Sequence, residues 1–74
     1  MIYILAHTYR NAAWVATRRH LVKEEWCFID NPERLVGTRA PTVWAIEGWR
    51  IRADYFAIEG ALLTANAVVT EVKL

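Results

Sequence analysis

A chain of 74 residues makes one domain, 1–74, and at that size folding removes only about 60% of the unfolded chain's surface from water, so the core is thin. With 55% hydrophobic residues and four Trp, the composition is too apolar for disorder and carries more large aromatics than a thin core readily hides. A formal net charge of +1 supplies no general pull toward nucleic acid or an anionic membrane, and no apolar run approaches the ~20 residues of a membrane span. The single Cys27 can form neither an intramolecular disulfide nor a cysteine-based metal site, which fits a reducing cytoplasm, and the N-terminus lacks the basic start and cleavage site of a signal peptide.

Residues 2–6 are apolar on both faces, the pattern of an interior parallel strand covered on two sides. Thr8 then caps a helix expected over residues 9–24, with Ala12, Val15, Ala16 and Val22 as the buried stripe, Arg19 at its margin and His20 on its surface. Trp14 and Leu21, seven residues apart, form a second apolar strip and a candidate interface. Residues 26–30 read as the second strand. Asn31 and Pro32 then start a short helical turn over 32–36, in which Leu35 and Val36 cover the sheet before Gly37 stops it. Pro41 precedes the third strand, Thr42–Ile46, and Gly48 breaks its continuation. Asp54 opens the second long helix, its carboxylate either capping it or favouring the positive N-terminal end, and Asn66 ends it in a left-handed conformation. Tyr55, Ile58, Leu62 and Ala65 face inward, and Gly60 is expected to approach the sheet closely. Residues 67–74 alternate as a partly solvated edge strand.

The rhythm is that of a small Rossmann-like α/β domain with four mainly parallel strands. Right-handed crossovers couple strand order to helix placement, and only helices on opposite faces cover the first strand on both sides. The expected order is therefore 2-1-3-4, with the first helix's face open over strands three and four. Val69, Glu71 and Lys73 are assigned to that open face, which makes Val69 a further candidate interface residue.

Ligands on such sheets sit beyond the strand ends at the switch point, here among His7, Thr8, Glu47 and Trp49. His7 with Glu47 has the composition of a base and its orienting carboxylate, but no nucleophile or oxyanion pocket accompanies it, and such a pair is more often structural. The turn after the first strand, Ala6-His7-Thr8-Tyr9-Arg10-Asn11, lacks the glycines of a phosphate loop. No catalytic set, cofactor or metal is expected. Arg10, Arg50 and Arg52 beside Trp49 would suit single-stranded nucleic acid if they gathered at one sheet end, against the plainer reading of arginines balanced by Asp30, Glu47 and Asp54. Arg18 and Arg19 read as a charged helix face paired with Glu24 or Glu25.

The segments MIYILAHTYR (1–10), DNPERLVG (30–37) and VWAIEGW (43–49) resemble small proteins of actinobacterial bacteriophages that carry no assigned activity. The pattern also resembles a cut-down Rossmann-like or P-loop fold without its phosphate loop. The phage resemblance implies a host-cytoplasmic setting and no transferable site residues. The expected function is a non-enzymatic protein-interaction module that self-associates, most simply as a dimer, and modulates a host protein, with no membrane contact. A single-stranded nucleic-acid-binding domain is the alternative, and a small enzyme built on His7 and Glu47 the third reading.

Overall fold

Strands β1 (Ile2–Leu5), β2 (Trp26–Phe28), β3 (Thr42–Ile46) and β4 (Val68–Val72) form one parallel sheet in the order β2-β1-β3-β4 in the computed structural model, which describes residues 1–74. Helix α1 (Tyr9–Arg18) packs on one face. Helix α2 (Tyr55–Thr64) and a short 3-10 turn at Pro32–Leu35 pack on the other. The cause is visible in β1, whose alternate residues feed two cores: Ile4 joins Ala12, Val15 and Ala16 of α1, and Leu5 joins Leu35 and Ile58. Ile4 and Leu5 are both fully buried, so both faces of the central strand contribute hydrophobic stabilisation. The 2-1-3-4 order and the opposed helices are those expected from the two-sided apolarity of this strand.

Local chemistry sets the element starts as expected at two places. Thr8 Oγ1 accepts from the Asn11 N–H at 3.2 Å, and Asn31 Oδ1 accepts from the Glu33 N–H at 2.8 Å, each relieving an amide that the first turn leaves unpaired.

Helix α1 ends at Arg18, well short of residue 24. His20, at φ 59°, turns the chain into the left-handed region, so its N–H reaches the Thr17 carbonyl at 3.1 Å and the Leu21 N–H reaches Ala16 at 2.9 Å. This is a Schellman stop. It swings Leu21 onto the α1-side core and leaves Val22 outside, 57% exposed, exchanging the two roles expected from an uninterrupted helix. Asn66, at φ 53°, ends α2 in the same way, with its N–H on Leu63 and that of Ala67 on Leu62, as anticipated.

Three further expectations are corrected. Val36 is 78% exposed, leaving Leu35 alone to cover the sheet from this turn. Gly60 faces outward, and a Cβ placed there would meet nothing within 4 Å, so it makes no close approach. The β3–β4 register pairs Val43 with Val69 and Trp44 with Thr70. Val68, Thr70 and Val72 therefore share the α1 side, and Val69 and Glu71 the α2 side, because paired residues in a parallel ladder point the same way. The open face over β3 and β4 exists, but Val69 is not on it.

A left-handed backbone costs an L-residue roughly 1–2 kcal/mol, whereas glycine adopts it freely at a greater entropic cost of ordering. His20→Gly is expected to raise stability by about 0.5–1 kcal/mol, a gain of a few degrees in Tm. His20→Val should lower it. Thermal unfolding followed by circular dichroism checks both, and an unchanged or lower Tm for the glycine variant would contradict the left-handed stop.

Candidate functional site

Beyond the C-terminal ends of β1 and β2 the sheet leaves carbonyls that its own ladder does not use. Ala6 and Ile29, which carry two of them, are fully buried residues. A buried carbonyl needs a donor, and here the donor is a side chain from the far end of β3's connection. Gly48, left-handed at φ 96°, and a 3-10 turn over Trp49–Ile51 double the chain back, which sends Trp49 under α2 and Arg52 across the sheet end.

Arg52 Nη1 donates to Ala6 O at 3.0 Å and to Ile29 O at 2.7 Å, and Nη2 donates to Asp30 O at 3.0 Å. Nε and Nη2 grip the Asp54 carboxylate at 2.9 and 3.0 Å. All five N–H donors of the guanidinium are thereby engaged. The side chain is only 8% exposed, and its charge lies 5.6 Å from the centre of the Phe28 ring. Asp54 sits at the N-cap position just before α2, but its carboxylate serves Arg52 and makes no capping bond to the helix.

Arg10, Trp49, Arg50 and Arg52, the residues of the alternative nucleic-acid reading, do not assemble into one open surface at the sheet end. Arg52 has no free donor for a phosphate, and Trp49, 3% exposed, is a core residue packed edge-on against Tyr55 with ring centres 5.3 Å apart. The buried Trp49 Nε1 has no hydrogen-bond partner. Arg50 is exposed and paired at 3.5 Å with Glu71, while Arg10 belongs to α1. His7 and Glu47 are both exposed, with no hydrogen bond or ion pair between them, and the Thr8 hydroxyl is occupied as the α1 cap. Asp30 pairs with Arg34 at 2.7 Å, and that hydrogen bond holds its carboxyl below the usual carboxylate range.

The Trp14–Leu21 strip does not form, because Leu21 has left the helix for the core; Trp14 alone remains outside, 49% exposed. Arg18 and Arg19 make no ion pair with Glu24 or Glu25. Their guanidinium groups lie 4.9 Å over Trp14 and 5.5 Å over Trp44. The most apolar exposed element is one that the inward stripe of α2 had concealed. Phe56, Ala57, Gly60, Leu63 and Thr64 form its solvent side without a charged group, and Phe56 and Leu63 are 82% and 75% exposed. The only charged residue in the helix, Glu59, accepts from Tyr55 Oη at 3.2 Å. Seven residues separate Phe56 from Leu63, and this spacing was the readable signal for the strip.

Arg52→Met removes the donors to three carbonyls and strands the Asp54 carboxylate. It should cost about 3 kcal/mol or more in urea unfolding, as loss of one partner of a buried pair does. Arg52→Lys also falls short, since an ammonium cannot span the same fork, whereas Asp54→Ala costs less because that carboxylate is 31% exposed. A loss below about 1 kcal/mol for Arg52→Met would contradict the role assigned to it.

No protein-family model, curated protein or solved structure matches this chain.

Proposed function

We propose that the protein is an interaction module that self-associates through the solvent side of α2. The observation that carries this reading is a helix whose inward and outward faces are both apolar. Ile58, Leu62 and Tyr55 pack inward, and the outward arc from Phe56 to Leu63 holds no charge. A helix of this kind is ordinarily covered on both sides, and a small chain that exposes such a surface has a partner for it. Val36, beside a shallow depression of about 280 Å³ that Ala61 and Thr64 also line, extends the apolar surface beyond the helix.

A second copy of the same chain is the simplest cover. Two α2 helices crossing about a two-fold axis near Gly60 would bury Phe56 and Leu63 of each protomer, with no side chain at the crossing point to hold them apart. The resemblance to actinobacteriophage proteins supports a host protein as the eventual target of this dimer. No helix is long and apolar enough to cross a membrane, so the outer side of α2 is not read as a spanning surface.

Sedimentation equilibrium at micromolar concentration is expected to give a dimer, and Leu63→Glu or Phe56→Glu a monomer of 8.6 kDa with unchanged circular dichroism. Trp14→Ala should leave the dimer intact. A monomeric parent chain, or a dimer indifferent to both α2 substitutions, would overturn the proposal.

A further inference from the structure

The other face of the sheet carries a feature with different chemistry. A groove of about 300 Å³ runs between α1 and β4, and it continues past Trp14 and Leu74 into a second hollow of about 290 Å³. Arg18, Arg19 and Lys73 rim the first part, and Arg10 the second. None of these four cations makes an ion pair. No Asp or Glu lines either part.

Five of the eight acidic side chains are engaged elsewhere: Asp30 with Arg34, Asp54 with Arg52, Glu71 with Arg50, Glu59 with Tyr55, and Glu25 with the Val22 N–H. Four of the chain's nine Lys and Arg residues thus line one channel that holds no acidic side chain, although the whole chain nets only +1. Concave walls concentrate such a field and select an anion.

The order of groups along α1 narrows the class of anion. Arg10, Trp14 and Arg18 recur every four residues on one helix line, about 6 Å apart along the axis, placing a half-exposed indole between two guanidiniums. Arg18 already lies 4.9 Å over the Trp14 ring, which makes the two a stacked cation–aromatic platform. On the open part of the same face, Arg19 over Trp44 repeats the pairing at 5.5 Å. A ligand that alternates anionic and flat aromatic groups meets both halves of this pattern. An acidic peptide answers only the cations.

From this geometry we infer that the α1–β4 groove binds single-stranded nucleic acid, with phosphates on Arg10, Arg18, Arg19 and Lys73 and a base stacked on Trp14. The site lies on the opposite sheet face from α2 and does not rest on the dimer proposal. It shares only Arg10 with the surface that the sequence pattern pointed to, and it is open where that surface is closed by Arg52 and Trp49.

The test is fluorescence anisotropy of the full chain with labelled oligothymidylate and oligouridylate of about 15 nucleotides, titrated between about 50 and 200 mM salt. Three to four phosphate contacts predict a log–log salt slope of about −2 to −3. Trp14→Ala should weaken binding about tenfold or more and leave the slope unchanged, while Trp14→Phe restores most of the affinity. Arg10→Ala with Arg18→Ala should weaken binding and flatten the slope by about 1.4. Arg39→Ala, an exposed cation outside the groove, and Leu63→Glu on α2 should change neither. Circular dichroism confirms that each variant is folded. Absence of binding to either oligonucleotide at 50 mM salt would overturn the assignment. So would equal affinity for polyglutamate, or a Trp14→Ala variant that binds like the parent chain.

Discussion

The five-donor clamp of Arg52 is the constraint on which the architecture turns. A parallel sheet with so short a connection after β2 has no full crossover helix there, and the carbonyls of Ala6, Ile29 and Asp30 lie beyond the ladder. Water cannot satisfy those on fully buried residues, so the chain must supply donors in a fixed plane. A guanidinium does this in one group, and Asp54 balances its charge. The same side chain ties β1, β2 and the start of α2 together, three segments widely separated in sequence. Leu5, Leu35, Trp49 and Ile58 belong to the core that Ile29, one of the carbonyl partners of Arg52, also joins.

That closure bears on function. In open α/β sheets the strand ends at the switch point are the usual ligand site, approached through backbone groups left free for the purpose. Beside the switch point, between β1 and β2, those groups are already bonded to Arg52; at the β1–β3 switch point itself Trp49 is folded into the core, and His7 and Glu47 stand exposed with no hydrogen bond between them. The two sheet faces carry the rest of the exposed chemistry, and they differ. The α1 side presents cations and a half-exposed indole, whereas the outward arc of α2 presents aliphatic and aromatic groups with no charge. Averaged over the chain, the two cancel into an unremarkable composition.

Much of the fold was legible because it rests on local or periodic signals. The apolar run of β1, the Thr8 and Asn31 caps, the Asn66 stop and the strand order all follow from pattern and handedness. What escaped is non-local or chemically atypical. His20 ends α1 in a conformation that Gly or Asn usually announces, so the helix read too long and a Trp14–Leu21 strip was drawn across residues that part company. Arg52 looked like a surface cation because its partners lie 22 to 46 residues away in sequence, apart from Asp54. A single-residue register difference at β4 exchanges the faces of Val68 and Val69, which sequence alternation cannot assign without the pairing.

Nuclear magnetic resonance of the Arg52 guanidinium tests the central claim most directly. Five donors held by carbonyls and a carboxylate in an 8% exposed side chain predict separate, slowly exchanging Nη proton signals with hindered rotation about the Cζ–Nη bonds, and contacts to the Phe28 ring. An Arg52 signal that is averaged and exchanges with solvent as fast as that of exposed Arg10 would contradict the account.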